Sequence, residues 1–152
     1  MCIRDSSHSL GPIEASLGYT HLWFWDHHHA SSDHELSIGL ASDVAQNFSL
    51  SAEAVYSTVL GGTFLEPAIT YSRQIGALEL AATASLGIDF GYASEAHDGL
   101  NHLGLQVEAT LPLTEQLDFI GYLGSTFALE DVERDDLGDL FFGGVGVSLS
   151  LW

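Results

Sequence analysis

The chain has no lysine. Its 152 residues carry 3 basic side chains against 21 acidic ones, a formal charge of −18 at pH 7. Nothing on such a chain can neutralise a run of phosphates, so nucleic-acid binding is excluded. Cysteine occurs once, at Cys2, which removes any disulfide framework and any thiolate metal site. No apolar run reaches the roughly 18 residues that a transmembrane helix needs. Disorder, the usual companion of strong acidity, is excluded as well, because 46% of the residues are hydrophobic and 11% aromatic. Helical periods, heptads and long repeats are also missing.

Met1-Cys2-Ile3-Arg4-Asp5-Ser6 fits nothing downstream. It reads as the translation of a transposon-end adapter used in sequencing libraries, and residues 1–6 are set aside for that reason. The expectation is that the natural N-terminus lies upstream, so the lack of a signal peptide here says nothing about export. Residues 7–152 then form one domain.

What the sequence does contain is alternation. Leu78, Leu80, Ala82, Ala84, Leu86, Ile88 and Phe90 alternate with Glu79, Ala81, Thr83, Ser85, Gly87, Asp89 and Gly91. A period of two is a strand with one apolar and one wet face. Soluble strands average about five or six residues. A tilted strand that crosses a bilayer needs roughly nine to eleven. The pattern predicts an all-β protein, an antiparallel up-and-down transmembrane barrel. Eight strands are expected, over 13–25, 34–42, 47–58, 64–74, 77–91, 101–113, 117–129 and 139–152. Mostly long polar connections (26–33, 92–100, 130–138) alternate with short ones (43–46, 75–76, 114–116), as outer loops and periplasmic turns do. Pro67, early in the fourth strand, predicts a bulge because it removes a ladder donor.

A bilayer also predicts aromatic bands at both interfaces. Trp23, Trp25, Tyr56, Phe64, Phe90, Phe127 and Phe141 fall at the outer end, and Phe48, Tyr71, Phe119 and Trp152 at the periplasmic end. Phe64 and Trp152 have the wrong parity for the lipid face. The opposite face carries Glu14, Glu35, Glu53, Glu66, Glu79, Asp89, Glu108 and Asp118. Arg73 falls on the apolar face beside a turn, where it can snorkel, and Arg134 in a loop. The inward acids are therefore expected to lack an internal cation. An ionised carboxylate in a dry core costs many kcal/mol, so the lumen is expected to hold water or the barrel to have more strands than these. Such a lumen favours cations. A solvated acidic face on a soluble sandwich is the competing reading.

His27, His28, His29 and His34, with Asp26 and Asp33, are the weak candidates for a metal site. Their spacing matches no known one, and a solvated polar loop is the preferred reading. His21 is expected outward and His102 inward, both structural. No enzyme activity is expected. A barrel lipid hydrolase needs a serine beside an oriented base. No Gly-x-Ser-x-Gly motif occurs, His29-Ala30-Ser31 falls in a loop, and the inward serines are read as lacking a histidine neighbour. No cofactor is expected.

Gly18-Tyr19-Thr20, His34-Glu35-Leu36-Ser37-Ile38-Gly39-Leu40, Asp98-Gly99-Leu100-Asn101-His102-Leu103-Gly104-Leu105 and Phe142-Gly143-Gly144-Val145-Gly146-Val147-Ser148-Leu149-Ser150-Leu151-Trp152 carry a resemblance. They resemble the C-terminal two-thirds of the porin-type TorF family of proteobacterial proteins. The resemblance implies an outer-membrane barrel of more than eight strands and supplies no catalytic residues. The aromatic last residue resembles the signal read by the barrel-assembly machinery, although Trp152 is out of phase with Val145, Val147, Leu149 and Leu151. The expected function is passage of small cations or polar solutes through the outer membrane of a Gram-negative bacterium. The expected partners are outer-membrane lipid, the assembly machinery and those solutes. A non-conducting barrel that displays loops is the alternative, with the lipid hydrolase third.

Overall fold

Apolar alternation from residue 13 onward becomes strand almost wherever it occurs. The computed structural model describes residues 2–25, 30–93, 98–134 and 138–149. The strands are β1 (Cys2–Leu10), β2 (Ile13–Trp25), β3 (Ala30–Ala45), β4 (Phe48–Ser57), β5 (Thr63–Ile75), β6 (Leu78–Phe90), β7 (Asp98–Pro112), β8 (Leu117–Ala128) and β9 (Leu140–Leu149). One short helix, α1 (Glu130–Arg134), lies in the β8–β9 connection. All nine strands form a single sheet in the order of the chain, each antiparallel to the next. The protein is all-β with up-and-down topology. The sheet is open, with β1 and β9 at its edges.

The expected strands are present as β2 to β9, with three differences. β3 starts at Ala30, because Ala30 to Asp33 pair with Leu22 to Trp25 and carry the hairpin beyond the apolar alternation. β7 starts at Asp98, through pairing of Asp98 with Phe90. Residues 2–10, of which those up to Ser6 are set aside at the sequence level and the rest assigned to no strand, form β1 along the free edge of β2. An open edge offers unpaired N–H and C=O groups to any extended segment, so this pairing does not bear on where residues 1–6 come from.

Turn chemistry sets the short end. Asn47 and Gly76 both take positive φ, 69° and 64°, in two-residue connections that join β3 to β4 and β5 to β6. Such tight hairpins require that conformation, which glycine and asparagine tolerate best. The bulge expected at Pro67 is absent. The β5–β6 register is the same at Leu65–Ile88 and Ala68–Ser85, so the ladder lapses around the proline without slipping. The irregularities fall between Asp43 and Ala45 and at Gly87/Ile88, where Asn101 is the extra residue of β7.

No apolar side chain among the described residues is buried. Leu17, Ile38, Leu50, Val107, Leu123 and Val145 are all exposed, and Val145 keeps 75% of its surface. Register places them on one face: Leu17 opposite Ile38, Val107 opposite Leu123, Gly121 opposite Val145. Each such side chain left in water forgoes about 1.5–3 kcal/mol. Backbone ladders, with a few side-chain hydrogen bonds on the opposite face, hold the sheet together, and among the described residues nothing covers its apolar face.

Candidate functional site: the acid face of the sheet

Directly paired residues of antiparallel strands share a face, so register can be followed across the whole sheet. Glu14 lies opposite Ala41, Glu35 opposite Thr20 and Ser57, and Glu53 opposite both Gly39 and Glu66. Asp89 lies opposite Phe64, Glu79 opposite Gln74 and Thr110, Glu108 opposite Ala81 and Tyr122, and Asp118 opposite Pro112 and Ser148. All these carboxylates occupy the face opposite the exposed leucines and valines. A groove of about 530 Å³ opens on this face, lined among others by Glu14, Ser16, Glu53, Phe64 and Glu66.

One row across β4 to β7 reads Glu53, Glu66, Gly87, His102. Two carboxylates directly opposite each other repel. His102 leans across Gly87 and brings Nε2 to 3.5 Å from the Glu66 carboxylate. Only glycine leaves that room. A Cβ at position 87 would lie 2.5 Å from His102 Nδ1 and 2.8 Å from Phe64 Cζ. His102 Nδ1 is 2.9 Å from Asn101 Oδ1, supplied by the bulged residue. The amide oxygen and the carboxylate both accept, so the pair with Glu66 is an ion pair when the ring is an imidazolium. The expectation that the inward acids have no internal cation did not weigh His102, which is itself expected on this face and stands beside Glu66. It counted arginines and lysines and left out histidine.

The loop end of the same face is densely hydrogen-bonded. Asp89 is fully buried, and its carboxylate accepts from the backbone N–H groups of Tyr92 (2.7 Å) and Ala93 (3.0 Å), which turns the chain inward after β6. The Tyr92 hydroxyl then donates to the Glu35 carboxylate of β3. Burial, and next the Glu35 carboxylate, push the Tyr92 phenol above its ordinary range, which keeps it a donor. Phe64 lies between Tyr92 and His102, with both ring centroids 6.0 Å from its own. Asp33, only 8% exposed, accepts from the Ser57 hydroxyl at 2.6 Å and from the His34 N–H at 2.6 Å.

Sequence reasoning missed Ser57, Tyr92 and Asn101, and gave Asp33 only a place in the weak metal-site candidate. Asp33 sits in a polar stretch with no alternation, and Tyr92 follows the last strand residue. Their roles come from contacts between residues far apart in the chain. Asn101 could have been found only by locating the bulge.

The aromatics divide as parity requires. Trp23, Tyr56, Phe90, Phe127 and Phe141 lie on the apolar face at the loop end. Phe48, Tyr71 and Phe119 lie on it at the turn end, and the rings of Phe48 and Tyr71 are 5.0 Å apart. Phe64 is on the acid face. Trp25 closes β2, and Trp152 lies outside the described residues, as do His27, His28 and His29. His34 is the first residue of the expected 34–42 strand. It lies in β3 on the apolar face, stacked on His21 with ring centroids 4.4 Å apart, and its Nδ1 shares a 2.7 Å hydrogen bond with the Tyr19 hydroxyl. Among the described residues, no group of three His, Cys, Asp or Glu side chains could hold a metal ion. Ser85 corrects the parity argument about serines. It lies opposite Gly104 and so diagonal to His102 on the acid face. The ring nitrogens of His102 face Asn101 and Glu66 instead.

Comparison with family models, with curated proteins and with solved structures found no match to this chain.

Proposed function

We propose that this chain is a barrel protein of a Gram-negative outer membrane that passes small cations or polar solutes through an acidic lumen. One observation carries the reading: the sheet sorts its side chains into an uncovered apolar face edged by aromatics and an opposite face bearing Glu14, Glu35, Glu53, Glu66, Glu79, Asp89, Glu108 and Asp118. Soluble monomers rarely expose contiguous apolar patches beyond a few hundred Å². Lipid covers such a face without a protein partner, and the acids face water. The edges of β1 and β9 need partners in a bilayer, since hydrocarbon cannot satisfy free backbone groups. This favours a barrel with more strands than the sheet holds, which is also what the TorF-family resemblance implies.

Single-channel recording of the full-length protein in planar bilayers, with reversal potentials in asymmetric KCl, tests the reading. Cation-selective conductance is expected. Glu53→Gln together with Glu108→Gln should lower the cation preference; unchanged selectivity would remove the acids from the conduction path. A closed trace would favour the non-conducting barrel that displays loops. That alternative draws support from Tyr92 and Glu35, which bridge over the loop end of the acid face.

A further inference from the structure

We infer that Tyr92, held on Glu35 and backed by Phe64, forms a constriction across the loop end of the acid face and sets the size of solute admitted there. The inference rests on the pore reading for its biological meaning, but its geometry is independent of conduction. β3 and β6 are three ladder spacings apart, roughly 14 Å at about 4.8 Å each. A side chain that leaves the end of β6 and bonds a carboxylate on β3 must cross the space in front of β4 and β5.

Three features hold Tyr92 there. The buried Asp89 carboxylate caps the bend through the N–H groups of Tyr92 and Ala93. Gly62, in the β4–β5 connection, has its α-carbon against the backbone of Gly91 and Tyr92, so closely that a methyl group would collide with both. Phe64 fills the space beneath the phenol and rests in turn on His102, which is fixed by Asn101 and Glu66. Hydroxyl, ring face and backbone are thus all engaged. The recognised solute is a small hydrated cation or polar molecule able to pass beside an aromatic edge into the groove lined by Glu14, Glu53 and Glu66.

The test is thiol access to Glu53→Cys, which reports from the groove beyond Tyr92, in a Cys2→Ser background reconstituted in phosphatidylcholine–phosphatidylglycerol vesicles. Two maleimides are added outside, one small and one carrying a bulky fluorophore. With Tyr92 present, the small reagent is expected to label at least several-fold faster than the bulky one. Tyr92→Ala should abolish that discrimination. Tyr92→Phe, which keeps the ring and removes only the bond to Glu35, should weaken it and covers the case in which the alanine variant fails to fold. Equal discrimination in wild type and Tyr92→Phe, or none in wild type, overturns the constriction. Lost discrimination in a protein that never conducts would keep the constriction and reject the pore.

Discussion

At the scale of single residues, the acid face depends on who faces a glycine. Gly87 lets His102 reach Glu66 and lets Phe64 lie beside the imidazole. Gly87→Ala should force both rings aside and destabilise the protein by about 1–3 kcal/mol, as overpacking does. Urea unfolding in lipid vesicles, followed by tryptophan fluorescence, would read the change; a shift within error would show that the row has slack. The Glu66–His102 pair itself is worth little. The Glu66 side chain keeps 42% of its surface, so a double-mutant cycle with Glu66→Gln and His102→Ala should give a coupling of at most about 1 kcal/mol. A larger value would mean that this part of the face is drier than its exposure indicates.

At the scale of elements, each strand has two surfaces that should respond oppositely to charge. Leu123, mid-strand in β8 and 60% exposed, faces the side assigned to lipid. Leu123→Arg should cost about 2–4 kcal/mol in a bilayer. Thr83 of β6 faces the acids, hydrogen-bonded to Thr70 at 2.9 Å. Thr83→Arg should cost less than about 1 kcal/mol despite losing that bond, because the new cation is among carboxylates and water. Folding yield into vesicles separates the two; equal penalties would undo the assignment of faces. The strands themselves were legible from alternation, since a period of two is a local property of a few consecutive residues. Strand ends were less so. Ala30 to Asp33 joined β3 through partners in β2, and nothing in their own polarity announces it. Pro67 behaved differently from expectation for a similar reason: neighbouring pairs on either side kept the register across a missing donor.

At the scale of the whole molecule, strand number and direction limit how the sheet can close. Nine alternating strands leave β1 and β9 running the same way, whereas β2 and β9 are antiparallel. Among the described residues β1 pairs with β2 alone, so removing residues 1–10 should leave amide-exchange protection in β3 to β8 unchanged. Protection lost throughout the sheet would make β1 integral to it. The uncovered apolar face also predicts that the chain needs detergent or lipid to stay monodisperse, which sedimentation would check; a monodisperse detergent-free monomer would refute the membrane reading.

The sequence by itself determined that β2 to β9 form, that they are long, and that they alternate between an apolar side and one that is acidic, polar or glycine-rich, because side-chain direction in a strand follows from local geometry alone. Only the tertiary structure decided that Tyr92 crosses to Glu35, that His102 reaches Glu66 over Gly87, and that Asp33 is buried on Ser57. Those contacts join segments up to 57 residues apart. Ladder register and one bulge set their alignment, and neither is encoded in the residues that finally meet.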